Sequence, residues 1–233
     1  MKVLAIETST LTGSVALLEI PPSPLCQRGV MGGFVIGEVT LSVSLQHSER
    51  LMPAIADLLR DAAVAPSEVD LYAVAIGPGS FTGLRIGLAA AQGLALAHDK
   101  PVVGVSTLEG IAFHGVYYPG VVVPLLNAYR NELYWGLYRG VGGVPKVLEE
   151  DRVSPVEELI SWVRHQSERC LLLGDGLKVY GERLMAELGP EKIDLAPAHL
   201  QNPRGAHIAV LAVEKSRQGH QPEPLPKYLR RPG

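Results

Sequence analysis

Ile76-Gly77-Pro78-Gly79-Ser80-Phe81-Thr82-Gly83-Leu84-Arg85-Ile86-Gly87-Leu88 joins an apolar strand to a helix through a glycine turn, and its reading decides the fold. The run Leu71 to Ile76 has strand length and stops at Gly77-Pro78-Gly79, where glycine permits backbone angles other residues avoid and proline ends ladder pairing. Thr82 can cap the helix that follows. Leu84, Leu88, Ala91 and Ala95 then recur at helical spacing, with Gly87, Ala89, Ala90 and Gly93 between them. Such small residues let another helix approach closely, which reads as a docking surface.

Working outward, Val3 to Ile6 is an apolar strand leading into the polar turn Glu7-Thr8-Ser9-Thr10, and Ser14 to Ile20 returns as a second strand. Pro21 to Gly33 reads as a loop, and Phe34 to Leu45 alternates as a third strand. A helix beginning near Ser48 carries the apolar stripe Leu51, Met52, Ile55, Leu58, Leu59 and Ala62, with Pro53 tolerable only near its first turn. Strand Val102–Val105 and a helix from Thr107, boxed by Ser106 and Glu109, complete the first half. The second half repeats the order: strands Val121–Leu126 and Glu132–Tyr138, a weaker strand near Val147, and a helix from Pro155 boxed by Ser154 and Glu157. Strand Leu171–Leu173, a helix over 178–188, strand Ile193–Leu195, a helix after Asn202-Pro203 and an extended tail from Leu225 to Pro232 follow. The expectation is an α/β protein with a duplicated βββαβαβα order, divided into lobes 1–117 and 118–233.

At 233 residues and 47% hydrophobic, the chain can bury a substantial core. A formal charge of −3 argues against gripping nucleic acid through a basic face of its own, so any RNA contact is expected to be shared. Cys26 and Cys170 lie far apart with no CxxC or Cys/His spacing, which suggests neither a disulfide framework nor a zinc site. No run reaches the ~18 apolar residues of a membrane helix, and Val3-Leu4-Ala5-Ile6 is too short for a signal core, so a cytoplasmic location is expected.

The glycine loop invites a phosphate reading, because backbone N–H groups at a helix start attract anions, yet it lacks a Walker lysine. A structural strand-to-helix turn is the favoured reading of it. Arg85 can hold an anion or pair with a carboxylate, and the pair is favoured. His47, His165, His207 and His220 show no mutual spacing of a site. Ser80, Ser106 and Ser154 do not sit in a Gly-x-Ser-x-Gly elbow. Tyr134 and Tyr138 share one strand face and Trp135 takes the other, which reads as packing rather than base stacking.

The element order is similar to the two-lobed actin-like ATPase (ribonuclease H-like) fold. Within it, Leu4-Ala5-Ile6-Glu7-Thr8-Ser9-Thr10, His47 to Pro53, Gly77 to Gly87, Gln92-Gly93-Leu94-Ala95, Gly104 to Leu108, Glu132-Leu133-Tyr134-Trp135 and Tyr228-Leu229-Arg230 resemble the TsaB family, also called YeaZ. The resemblance spans essentially the whole chain. It implies a non-catalytic scaffold that binds and activates TsaD in making threonylcarbamoyladenosine beside the tRNA anticodon. TsaE is the further protein partner, tRNA is met only through the complex, and a homodimer forms in isolation. It also implies use of the first-lobe helices, residues 49–64 and 82–97, for docking, through Leu51, Ile55, Leu58, Leu59, Leu84, Gly87, Leu88, Ala91 and Ala95.

Residual nucleotide or anion contact, where such ATPases wrap a hairpin around phosphates, falls to Glu7, Thr10, Ser80 and Arg85. No cofactor of the chain's own is expected, with ATP only at a complex interface. TsaD-like enzymes carry a His-x-x-x-His pair on the helix after a Gly-Val-Asn strand end, where imidazoles four residues apart both reach a metal. Here Thr107 and Ile111 take those positions, so no metal site is expected. Asn127-Ala128-Tyr129 replaces the family's Asp-Ala-Arg, and Glu7 its usual Asp. The rival readings are a stand-alone metallopeptidase or carbamoyl transferase, opposed by Thr107 and Ile111, and a sugar-kinase-like phosphotransferase, which needs an aspartate where Asn127 stands.

Overall fold

A computed structural model describes residues 1–21, 33–42, 47–219 and 224–230. Cys26, His220, Pro232, most of the expected loop before Gly33 and the expected strand end beyond Ser42 lie outside the described residues.

The chain forms two compact units, and the boundary differs from the expected 117/118 division. Met1–Gly110 and Pro203–Lys227 make the first; Ile111–Asn202 and the described residues from Tyr228 on make the second. In the first, β1 (Lys2–Glu7), β2 (Thr12–Glu19), β3 (Phe34–Ser42), β4 (Leu71–Gly77) and β5 (Val102–Ser106) form one sheet ordered β3-β2-β1-β4-β5. The hairpin pairs β1/β2 and β2/β3 are antiparallel, and β1/β4 and β4/β5 are parallel. The central β1 and β4 read as continuous apolar runs because both their faces are covered. Helices α1 (His47–Asp61) and α2 (Phe81–His98) bury one face around Leu4, Ile6, Leu17, Tyr72 and Val74.

After α3 (Thr107–Ala112), the second unit repeats the plan with β6 (Val121–Asn127), β7 (Glu132–Val141), β8 (Val144–Pro155), β9 (Cys170–Leu173) and β10 (Ile193–Leu195), ordered β10-β9-β6-β7-β8. Helices α4 (Val156–Arg164) and α5 (Leu177–Leu188) cover its core, where Trp135 and Trp162 lie 6.2 Å apart by ring centroids. The duplicated order is therefore present strand for strand.

The last helix, α6 (Gly205–Arg217), does not stay with the half whose order it completes; it covers the other face of the first sheet, across β1, β2, β4 and β5. Polar contacts fix its start. The amide of Gly205 donates to Ser14 Oγ at 3.0 Å, the amide of Ala206 donates to Glu38 Oε1 at 3.2 Å, and Arg204 Nε donates to Glu38 Oε2 at 3.0 Å. Ser14 Oγ in turn donates to Glu38 Oε1 at 3.0 Å, so a strand carboxylate caps the helix in place of a local side chain. Lys215 closes the other end on Glu109 at 2.9 Å.

Several local expectations change. Ser80, not Thr82, caps α2, its Oγ accepting from the Gly83 amide at 3.2 Å. Ser154 does not cap α4, because its hydroxyl is held by Trp135 Nε1 at 2.9 Å and Pro155 takes the cap position. Ser106 Oγ does accept from the Glu109 amide, at 3.4 Å. Pro53 lies well inside α1 rather than in its first turn, and lacking an N–H it leaves the carbonyl four residues back without its helical donor.

Candidate functional site

The turn after β1 meets the start of α2. Glu7, Thr8 and Ser9 are all buried there. Glu7 Oε1 accepts from both the amide and the hydroxyl of Ser9 at 2.5 Å, whereas Oε2 has no hydrogen-bond partner among the described residues. Burial pushes the Glu7 carboxyl up to about 7, although the Ser9 bonds pull the other way. Thr10 Oγ1 closes a short loop with the backbone of Thr12.

The glycine loop packs directly on this turn. Gly77 sits at a φ of 107°, open only to glycine without strain. A Cβ at Gly83 would lie 2.0 Å from the Thr8 carbonyl oxygen, and one at Gly87 would lie 2.3 Å from Thr8 Oγ1. Thr8 Oγ1 donates to the Gly83 carbonyl at 2.8 Å, and the Ser80 amide donates to the Ser9 carbonyl at 2.6 Å. The amide of the cap residue Ser80 is taken up by Ser9, and the helix amides of Gly83 and Leu84 are taken up by Ser80, so the glycines seat the chain's own turn against the helix start. Of the four residues expected to contact an anion, Glu7 and Ser80 are both tied to Ser9; Thr10 bonds within its own turn, and Arg85 is an exposed side chain stacked 3.8 Å above the Phe81 ring centroid.

The docking residues require a correction. Leu51, Ile55, Leu58, Leu59, Leu84, Gly87, Leu88, Ala91 and Ala95 are all buried inside the first unit. An amphipathic stripe covered by the chain's own sheet has the same spacing as one reserved for a partner. The same two helices expose Met52 at 45%, Phe81 at 39% and Leu96 at 86%, with Arg85, Gln92 and Gly93 among them. Phe81 and Leu96 stand off the α2 stripe in the sequence, whereas Met52, counted with the α1 stripe, faces outward. The tail runs beside this face: Gln92 Nε2 donates to the Pro224 carbonyl at 3.1 Å and the Lys227 amide donates to the Ile76 carbonyl at 2.7 Å.

Thr107 and Ile111 are fully buried, and Thr107 Oγ1 has no hydrogen-bond partner among the described residues. Among those residues no group of three or more His, Cys, Asp or Glu side chains could hold a metal ion. His114 Nε2 lies 3.0 Å from the Asn202 carbonyl and His207 Nδ1 lies 3.1 Å from that of Gly110. Cys170 is a buried thiol pushed up to about 11, chiefly by burial. In the second unit Asn127 accepts from the Tyr129 amide through its side chain, and its own amide donates to Asp175 Oδ1, each at 3.0 Å. Burial raises the Asp175 carboxyl. No helix among the described residues is long and apolar enough to cross a membrane.

Two units with one repeated strand order, and parallel strands whose ends meet glycine turns, define an actin-like ATPase fold. The activator of the 2-hydroxyisocaproyl-CoA dehydratase from Clostridium difficile has that fold, with a TM-score of 0.50 at 9% identity over 94% of this chain and 97% of that one. The family model for TsaD, tRNA N6-adenosine threonylcarbamoyltransferase, matches residues 35–233. The tRNA threonylcarbamoyladenosine biosynthesis protein TsaB of Bacillus subtilis is 32% identical over 92% of this chain and 88% of its own length. That of Escherichia coli is 31% identical over 77% and 74%. YeaZ from Pseudomonas aeruginosa superposes with a TM-score of 0.79 at 30% identity, covering 98% of this chain and 99% of that one. The chain belongs to the TsaB (YeaZ) family.

Proposed function

We propose that this chain is the non-catalytic scaffold of a tRNA threonylcarbamoyltransferase complex, serving threonylcarbamoyladenosine biosynthesis by binding and activating a TsaD-type subunit. The observation that carries the reading is the fully buried Thr107 and Ile111 at the positions where TsaD-like enzymes hold two imidazoles. Isoleucine has no donor atom and threonine is a poor neutral ligand, so the fold persists where the metal chemistry has no carrier. The turn at Glu7 to Thr10 and the glycine loop bond to each other, which supports a chain that contributes position rather than phosphate chemistry.

The outer faces of α1 and α2 supply the docking surface in this reading, with Met52, Phe81 and Leu96 as apolar anchors. The same face allows a homodimer in isolation that gives way to the heterodimer. TsaE and tRNA join through the complex, ATP has a place only at an interface, and the assembly works in the cytoplasm. The test is reconstitution: purified chain, cognate TsaD and TsaE, ATP, a threonylcarbamoyl donor and unmodified tRNA. Modification that depends on this chain, and that Glu7→Ala, Ser80→Ala and Arg85→Ala variants restore at saturating concentration, is the expected result. A rate that stays ~10²-fold depressed in a fully assembled complex would mark a catalytic group and overturn the scaffold reading.

A further inference from the structure

The hairpin turn between β6 and β7 is built from Tyr129, Arg130 and Asn131, three successive residues with left-handed φ angles of 59°, 53° and 63°. Each is disfavoured for a residue with a Cβ, which crowds the following carbonyl. The turn is held from four sides. Asn127 Oδ1 accepts from the Tyr129 amide at 3.0 Å, the Glu132 amide donates to the Tyr129 carbonyl at 3.0 Å, Arg230 Nη1 donates to the Ala128 carbonyl at 3.1 Å, and the Val156 amide donates to the Asn131 carbonyl at 3.3 Å. Four independent supports for one strained turn fix what it displays: a tyrosine 69% exposed next to an exposed arginine.

The charge of that arginine is uncompensated among the described residues. In the second unit Arg139, Arg152, Arg164, Arg169, Arg183 and Arg230 each stand against a carboxylate. Arg130 forms no ion pair among the described residues; Lys178 makes none there either, but its charge acts on Asp175, the carboxylate that accepts from the Asn127 amide. A rigidly presented aromatic ring beside such a guanidinium, with a lysine toward the same strand ends, matches an unpaired base stacked on the ring and a phosphate on the cations. We propose that this turn is a direct RNA contact of the chain, with Tyr129 as stacking platform and Arg130 as phosphate ligand. The proposal rests on the tRNA-modification reading above and names this chain's own share of the tRNA contact made by the complex.

The experiment measures affinity of the assembled complex for an unmodified tRNA transcript at several salt concentrations, with complex mass followed by light scattering. Arg130→Glu should weaken binding ~10-fold or more and lower the salt slope by about one, as expected for a lost phosphate contact. Tyr129→Ala should weaken it ~5-fold or more while Tyr129→Phe stays within about twofold, since the ring and not the hydroxyl stacks. Complex mass should not change. Binding within about twofold of wild type for Arg130→Glu overturns the proposal, and so does dissociation of the complex by that exposed substitution, which would assign the turn to a protein partner. Wild-type modification that proceeds without this chain would sink the functional reading instead, and the affinity comparison would still decide the turn.

Discussion

Thr8 Oγ1 donates a hydrogen bond of 2.8 Å to the carbonyl oxygen of Gly83, tying the turn after the first strand to the first turn of the helix that follows the glycine loop. The two residues are 75 positions apart, and neither can keep this contact if the glycine acquires a side chain. The relationship gives the glycine pattern its purpose: Gly83 and Gly87 are absent side chains against Thr8.

Gly83→Ala and Gly87→Leu should therefore destabilise the first unit by about 3 kcal/mol or more, because the added atoms meet backbone and a bonded hydroxyl rather than a flexible tip. Thermal or urea denaturation checks this. Wild-type stability in both variants would refute the close approach.

Glu7 gives a pH dependence. Its folded-state pKa of about 7 exceeds the ordinary carboxylate value, because burial favours the neutral acid. Below the ordinary value the group is protonated in both states and contributes nothing. As pH rises toward 7 the unfolded chain ionises first, so stability falls through that window and then levels, by about 3 kcal/mol in all. Glu7→Gln should match wild type near pH 4 and exceed it by up to about 3 kcal/mol near pH 8. An equal difference at both pH values would place the titration elsewhere.

Glu38 anchors α6. Replacing it with alanine leaves the Ala206 amide, the Ser14 hydroxyl and the Arg204 guanidinium without their shared acceptor, at about 2–3 kcal/mol. Hydrogen exchange should rise first across Gly205–Arg217, with the second unit unaffected. Uniform loss of protection in both units would count against a local clamp.

Association should separate the inner and outer faces of α2. Leu96→Glu, on an exposed position, should abolish self-association or partner binding while leaving the melting temperature within a few degrees. Ala91→Glu, fully buried, should unfold the unit through an unpaired buried charge. Sedimentation and calorimetry together distinguish the two. A folded Ala91→Glu monomer would restore the buried stripe as an interface.

Sequence alone determined the strand ending at Gly77, the helix after it and the repeated element order, because periodicity and turn residues are local properties; that Thr107 and Ile111 stand where TsaD-like enzymes carry imidazoles is what the family resemblance implies. The sequence did not reveal which face of α1 and α2 looks inward. Helical spacing carries no mark of what will cover it: Ile55, Leu84 and Ala91 form the same stripe whether a sheet of the same chain or another protein packs there. Only the tertiary structure turned that stripe onto Leu4, Ile6 and Tyr72 and left Met52 and Leu96 outside. It also carried α6 from the end of the second half to the first sheet, where Ser14, Glu38 and Arg204 meet from three distant stretches of chain. Contacts of that sequence separation are decided by how whole elements pack, since no local pattern encodes which distant carboxylate will cap a helix.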